Sequence, residues 1–106
     1  MAKYLFHGSY TKKGLKGLLK DGGSARKEAT EQMFKSMGGE LEAYYFAFGE
    51  NDFYVIADLP DSVTGVAGAL AVNASGSVKV QTTVLITPEE VDAATKRTVK
   101  YRAPGK

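Results

Sequence analysis

The 106-residue chain contains no cysteine and a single histidine, His7. Without cysteine, a disulfide framework, a thiolate zinc site, an iron–sulfur cluster and a cysteine nucleophile are all excluded. The sequence also lacks a dinucleotide-binding glycine motif, a phosphate-binding loop, a serine nucleophile elbow and a paired-histidine zinc motif. Few routes to metal chemistry are left, so neither a metal site nor another cofactor is predicted.

Long apolar runs and strong net charge are missing as well. The first residues lack the apolar core of a secretory signal, and no run approaches the roughly 20 apolar residues of a membrane span. A formal net charge of +2 is too small for the basic patch expected of a nucleic-acid-binding protein. The composition therefore predicts a cytoplasmic protein that binds neither a membrane nor nucleic acid.

A stretch rich in aromatic residues, from Leu41 to Leu59, predicts a β-hairpin. Residues 41–48 and 53–59 combine aromatic with β-branched side chains, and the tetrad 49–52 supplies Gly, Asn and Asp, which tolerate positive φ. Strict alternation assigns one face of the first arm to Leu41, Ala43, Tyr45 and Ala47, and the other to Glu42, Tyr44, Phe46 and Phe48. In the second arm it opposes Phe53, Val55, Ala57 and Leu59 to Asp52, Tyr54, Ile56 and Asp58. Both faces carry apolar groups and the helices of a short chain cover only one, so we expect a second copy of the chain to cover the other.

The other elements follow from alternation, helical spacing and capping residues. Residues 3–10 and 77–86 alternate as strands. Thr11 and Ser24 are the predicted caps of two helices, and the second has a stripe formed by Ala25, Ala29, Met33 and Met37. Asp61 or Ser62 caps a third helix with the clearest amphipathic pattern, formed by Val63, Val66, Ala67, Leu70 and Ala71. A capping box with a first-turn proline, Thr87-Pro88-Glu89-Glu90, begins a terminal helix that ends near Arg97.

The resulting order of elements is a βαββαβ plan. With right-handed crossovers, the first and third strands lie in the middle of the sheet, the second and fourth at its edges, and the helices on one face. We therefore predict an α+β fold, a ferredoxin-like sandwich with a four-stranded antiparallel sheet. Residues 1–98 form its single domain, and residues 99–106 form a basic C-terminal tail.

Short motifs along most of the chain, from Tyr4 to about Glu90, carry a family resemblance. They are Tyr10-Thr11-Lys-Lys-Gly14-Leu15-Lys-Gly17-Leu18, Gly38-Gly39-Glu-Leu41, Gly49-Glu-Asn-Asp52, Pro60-Asp61 and Leu85-Ile86-Thr87-Pro88-Glu89-Glu90. Their order and spacing resemble the GYD-domain family of small bacterial and archaeal proteins, except that Asn51 stands where the family's turn has Tyr. The resemblance implies a ferredoxin-like fold of the dimeric α/β-barrel kind, in which two sheets pack face to face. It implies no reaction, because the family is largely of uncharacterised function.

Five side chains are candidates for a functional site. His7 and Asp52 are the catalytic candidates, because an imidazole titrating near neutrality and a carboxylate at the mouth of a cleft suit acid–base chemistry. Tyr10, Tyr44 and Tyr54 are the ligand-binding candidates, because phenols offer both a stacking surface and a hydrogen-bond donor. The alternative roles are structural: His7 as a hydrogen-bonded strand residue, and Asp52 as an acceptor of backbone N–H groups that pins the hairpin.

Three functional hypotheses follow. The first is a homodimer or higher oligomer that serves as a structural or regulatory module or binds a small apolar or aromatic metabolite. The second is a cofactor-independent oxygenase or isomerase, of the kind that dimeric α/β barrels support, which requires His7 and Asp52 to face one concavity. The third is a regulatory protein that binds its partners through the basic tail, Val99 to Lys106.

Overall fold

The computed structural model describes the whole chain, Met1–Lys106. In chain order its elements are β1 (Ala2–Tyr10), α1 (Lys12–Asp21), α2 (Gly23–Ser36), β2 (Glu40–Phe46), β3 (Phe53–Leu59), α3 (Ser62–Ala74), β4 (Val78–Leu85) and α4 (Pro88–Thr95). The strands form one antiparallel sheet in the order β2-β3-β1-β4, so β3 and β1 are central. This arrangement confirms the predicted α+β, ferredoxin-like fold and the places of its central and edge strands.

Capping side chains fix where three of the helices begin. The Thr11 hydroxyl accepts a first-turn N–H of α1 at 3.3 Å, and the Asp61 carboxylate accepts one of α3 at 2.8 Å. At α4, Thr87 and Glu90 each accept the other's backbone N–H, which completes the predicted capping box. These local signals act within four residues, which is why the sequence alone locates them.

The start of α2 differs from the prediction. Gly22 is its N-terminal cap residue, and Ser24 lies inside the first turn, so the predicted Ser24 cap is wrong. Only Gly22 separates α1 from α2, and the chain turns there at φ 83°. Glycine adopts this left-handed region without the steric cost of a β-carbon, so the corner needs no side-chain cap.

One face of the sheet carries the core. β1 and β3 alternate as predicted, with buried side chains under the helices and partly exposed ones on the opposite face. The buried hydrophobic residues are Tyr4, Phe6, Phe34, Phe53, Val55, Ala57 and Leu59. Six of these seven lie on β1 and β3, so the central strands supply most of the core and α2 adds Phe34.

Strict alternation fails in β2. Leu41 pairs with Ala57 and Ala43 pairs with Ile56, so the strand contains a bulge between Leu41 and Ala43. The extra residue places Leu41 on the helix-covered face with Tyr44, and the prediction that Leu41 shares a face with Ala43 is therefore wrong. One added residue reverses the parity of a strand, and nothing in the local sequence marks it.

The hairpin turn also departs from the prediction. None of the residues 49–52 has positive φ, and the only non-glycine residue that does is Phe48, at φ 55°. Its ring stacks on Phe46 with centroids 5.8 Å apart, nearly parallel. The contact offsets part of the roughly 1–2 kcal/mol that this conformation costs a residue with a β-carbon.

Helix α3 forms where predicted but presents its other side to the sheet. Gly65 and Gly68 are buried, whereas Val63, Val66 and Leu70 are 79%, 57% and 65% exposed. The expectation from amphipathic helices, that the valine and leucine stripe faces the core, is therefore wrong.

Close approach explains this orientation of α3. A β-carbon built on Gly65 would lie 3.6 Å from Leu59 Cδ1, and one on Gly68 would lie 3.2 Å from Met37 Cε. A larger side chain at Gly65 would hold the helix away from the sheet, and one at Gly68 would press against Met37 at the end of α2. Because α3 carries no charged residue on any side, periodicity alone could not tell which of its faces is buried.

The segment after β4 lies away from the core. Helix α4 buries no residue, and Val91, Val99 and Tyr101 are 45%, 77% and 77% exposed. The molecule measures 56 × 33 × 22 Å with a radius of gyration of 16.9 Å, against about 13 Å for a compact domain of this length. No helix in the structure is both long and apolar enough to cross a membrane.

Candidate functional site

A cleft lies over the sheet between α2 and α3. The space inside this cleft has a volume of about 60 Å³. Of the 15 residues that line this space, 12 are hydrophobic, so it suits an apolar group. We call this space the apolar cavity. Residues of the central strands form its floor and residues of both helices form its walls, among them Phe6, Phe34, Val55, Met33, Met37 and Val72.

Two tyrosine hydroxyls lie at the rim of the apolar cavity. Tyr10 ends β1 and Tyr44 lies in β2, and their oxygens are 3.3 Å apart although β3 runs between the two strands. Tyr10 packs its ring against Phe53 at 5.5 Å, and Tyr44 packs against Phe46 at 5.1 Å. These aromatic contacts hold both phenols in place beside the cavity.

The Tyr10 phenol stays protonated over the physiological range. Burial raises the pKa of Tyr10 above its usual value, and the hydrogen bond with Tyr44 and the charge of Asp52 act in the same direction. Arg26 acts the other way but does not reverse the shift. Since one hydroxyl of the pair donates to the other, one phenolic hydrogen is left to donate elsewhere.

A wider and more polar space adjoins the apolar cavity. It has a volume of about 280 Å³ and lies between α1, α2 and the start of β4. We call it the polar cleft. The two spaces share Tyr10, Arg26 and Val78, and the polar cleft is lined in addition by Lys13 and Asp21.

The opposite, helix-free face of the sheet carries a second cluster. His7 Nδ1 lies 3.3 Å from Asn51 Oδ1, and His7 Nε2 lies 3.3 Å from Thr83 Oγ1. Asn51 also donates to the Tyr54 hydroxyl at 3.1 Å, and the Tyr54 ring stacks on the imidazole at 6.2 Å. Because an amide oxygen only accepts, a neutral His7 donates from Nδ1 and accepts the Thr83 hydroxyl at Nε2.

Asp52 has different partners. Its carboxylate accepts the Tyr10 N–H at 2.9 Å, and its own N–H donates to the Gly8 carbonyl at 2.7 Å. These bonds join the hairpin turn to the end of β1, the structural role considered for Asp52 from the sequence. His7 and Asp52 share no hydrogen bond, and each of the two catalytic candidates has its own partners.

The three ligand-binding candidates lie on different faces of the sheet. Tyr10 and Tyr44 meet at the apolar cavity, whereas Tyr54 lies with His7 on the other face of the sheet. No group of three or more histidine and carboxylate side chains is placed so as to hold a metal ion.

Comparison with known proteins identifies the family. The model of the GYD domain matches residues 4–95 of the 106-residue chain. The chain belongs to the GYD domain family. No curated protein and no solved structure matches it. The matched region begins within β1 and ends with α4, so the family model reaches every helix and strand and stops before the basic tail.

Asn51 lies in the hairpin turn, at the position where the family resemblance of the sequence implies Tyr. Here the amide bridges His7 and Tyr54, accepting from one ring and donating to the hydroxyl of the other. Asn51 therefore has a defined place in the helix-free cluster of this chain.

Arg26 and Thr30 line the apolar cavity and were missed from the sequence. The predicted stripe of α2 ran through Ala25 and Ala29, which are exposed, while Thr30 and Phe34 are buried. The buried face of α2 is therefore offset from the predicted stripe by about one residue. Thr30 satisfies its hydroxyl by donating to the Arg26 carbonyl at 2.9 Å, so its polarity does not keep it at the surface.

Proposed function

We propose that the protein is a homodimeric module that binds a small ligand in the cleft between α2 and α3. The observation that carries the proposal is the pair of tyrosine hydroxyls held beside the apolar cavity. Ligand sites of this kind combine mostly apolar walls with a few fixed polar groups that orient the ligand. The combined volume of the apolar cavity and the polar cleft is near the lower end of the usual range for such sites, about 300–1,000 Å³.

The hydrogen bonds of His7 and Asp52 favour binding over catalysis. The alternative, a cofactor-independent oxygenase or isomerase, needs both side chains to act on one substrate. In this chain Asp52 is committed to the backbone of Tyr10, and His7 to Asn51 and Thr83. A binding role requires no such pair.

The helix-free face supports the dimer. Leu5 pairs with Ile56 across the two central strands, and His7 pairs with Tyr54 beside them. The ion pairs of this face, from Lys3 to Glu42 and Asp58, lie at one end of it. An uncharged centre with charges toward the rim is the usual composition of a protein interface.

An interface of standard size would provide the driving force for such a dimer. At about 25 cal/mol per Å² of apolar surface, a standard interface of roughly 1,600 Å² provides a large gross driving force. The entropy of association offsets much of it, and the remainder determines the affinity. A two-fold axis through the sheet would pair the face of one copy with the same face of its partner.

The dimer is tested with two lysine substitutions. Ile56→Lys places a charge in the centre of the helix-free face, whereas the control Val66→Lys places one on the exposed side of α3. At tens of micromolar, sedimentation should give a dimer for the wild type and Val66→Lys, and a monomer or insoluble protein for Ile56→Lys. A monomeric wild type would refute the dimer.

Ligand binding is tested by filling the apolar cavity. Native mass spectrometry of the protein purified from its own host should detect a retained small molecule. Ala69 lines the cavity and Ala71 lies on the exposed side of the same helix, so Ala69→Leu should abolish retention and Ala71→Leu should preserve it. Equal retention by both variants would place the ligand elsewhere, and a wild type without any ligand at each purification would argue against the binding role.

A further inference from the structure

The apolar cavity and the polar cleft are parts of one site. Both are lined by Tyr10, Arg26 and Val78, so a ligand that passes these residues extends from one space into the other. Its inner part must be apolar, because hydrophobic side chains dominate the inner walls. Its outer part meets charged and hydrogen-bonding groups.

The charges at the outer part favour an anion. Lys13 and Arg26 both line the polar cleft, and neither forms an ion pair, since the ion pairs of the structure all involve Lys3. The one carboxylate there is Asp21. A guanidinium can bind a carboxylate with two parallel hydrogen bonds, which an ammonium cannot do, so Arg26 is the stronger of the two candidates.

Further groups suit the same end of the ligand. The tyrosine pair leaves one phenolic hydrogen free to donate, and burial, which raises the pKa of Tyr10, acts in the same direction as its ordinary preference for the protonated form. Gly17 and Gly22 also line the polar cleft, and β-carbons built on them would meet no atom within 4 Å. This side of the cleft is therefore open to a bound molecule.

The volume of the apolar cavity limits the apolar part of the ligand. Its value of about 60 Å³ is less than half of the roughly 150 Å³ of an engineered cavity that binds benzene. A short alkyl chain fits such a space better than an aromatic ring.

We infer that the site binds a small amphipathic anion, a carboxylate on a short alkyl chain, with the carboxylate at Arg26 and the chain in the apolar cavity. The inference rests on the proposed ligand-binding function and adds the charge and shape of the ligand. The proposed binding is noncovalent and involves no chemical reaction.

Three probes of equal chain length test it: hexanoate, 1-hexanol and hexylammonium. Each is titrated into ¹⁵N-labelled protein at pH 7 and low ionic strength, where exposed charges are least screened. The amide signals of Gly14, Gly17 and Gly22 report on the polar cleft, and those of Ala69 and Val72 report on the apolar cavity. Hexanoate should shift both sets and bind more tightly than the other two probes.

Arg26→Gln, with Lys27→Gln as its control, assigns the effect to the site. Both variants remove one positive charge from the same turn of α2, but Lys27 lines neither space. Arg26→Gln should weaken hexanoate binding by up to about fivefold, the upper end of the range for an exposed ion pair, and leave 1-hexanol unaffected. Lys27→Gln should leave both unaffected.

The other outcomes separate the inference from the proposed function. If hexanoate and 1-hexanol bind equally and Arg26→Gln changes neither, the cleft binds ligands but does not select an anion, and only the inference fails. Tighter binding of hexylammonium would likewise overturn it, in favour of Asp21. If none of the probes shifts the reporter amides, the inference fails, and the ligand-binding function is decided separately by whether the wild type retains a small molecule that Ala69→Leu does not.

Discussion

The orientation of α3 can be tested by the cost of shortening two leucines. Leu70 lies on the outer side of the helix and is 65% exposed, whereas Leu59 of β3 is fully buried beneath it. Burying a whole leucine side chain is worth about 1.5–3 kcal/mol, so the third of Leu70 that is covered contributes roughly 0.5–1 kcal/mol. Alanine is also the better helix former by a few tenths of a kcal/mol. We therefore expect Leu70→Ala to lower the free energy of unfolding by only about 0.5 kcal/mol.

Leu59→Ala is the reference for a buried site. It removes a fully enclosed side chain and leaves a cavity, which costs about 2–5 kcal/mol. For a domain of this size, each kcal/mol corresponds to about 4–8 °C in Tm. The Tm values of the two variants should therefore differ by about six degrees or more, well outside the error of a melting curve.

Urea denaturation followed by circular dichroism measures both free energies. Each variant is measured at two protein concentrations, because the apparent stability of a dimer depends on concentration. A loss of 2 kcal/mol or more for Leu70→Ala at both concentrations would falsify the orientation, since it would place the valine and leucine stripe in the core. A loss that changes with concentration would instead place the outer side of α3 in a subunit interface.

Three further predictions concern packing, the hairpin and pH. Thermal melts should show that Gly65→Ala raises stability by about 0.5–1 kcal/mol through helix propensity. Gly14→Ala should instead destabilise strongly, because its β-carbon would clash with the backbone carbonyl oxygen of Ser77. Asp52→Ala should lower the free energy of unfolding by roughly 0.5–2 kcal/mol, because the backbone N–H of Tyr10 loses its acceptor. An unchanged Tm together with a lost ligand would instead assign Asp52 to the ligand site. The hydrogen bonds from the backbone and hydroxyl of Thr64 lower the pKa of Asp61 in the folded protein. The ionised carboxylate therefore contributes fully to stability above the pKa that Asp61 has in the unfolded chain, and this contribution is lost as the pH falls through its pKa in the folded protein. The difference in urea midpoint between the wild type and Asp61→Asn should therefore shrink below about pH 4, and a constant difference would exclude the carboxylate as its source.

Much of the fold could be predicted because its signals are local. Thr11, Asp61 and Thr87 cap helices through bonds to residues three positions away, and alternation in β1 and β3 reports directly which side chains are buried. Handedness then leaves few ways to connect four strands with two crossovers. The order β2-β3-β1-β4 and the GYD motifs were both accessible from the sequence for this reason.

The candidate site was accessible only in part. Tyr10, Tyr44 and Tyr54 were chosen as one set by residue type, and the fold divided them between the two faces of the sheet. Arg26 was missed because the exact rotation of α2 decides which side chains line the cavity, and a helical stripe defines that rotation only to within about one residue.

What the sequence by itself determined, then, is where most of the elements begin, the start of α2 excepted, and how the strands are ordered, since these depend on neighbours within a few residues and on chirality. What only the tertiary structure decided is which face each element presents. The bulge after Leu41 changes the parity of β2, and α3 turns Gly65 and Gly68 inward because only small residues let its backbone lie close to the sheet and to Met37 at the end of α2. Both outcomes depend on the fit between surfaces that are distant in the sequence, and the site beside Tyr10 depends on that fit as well.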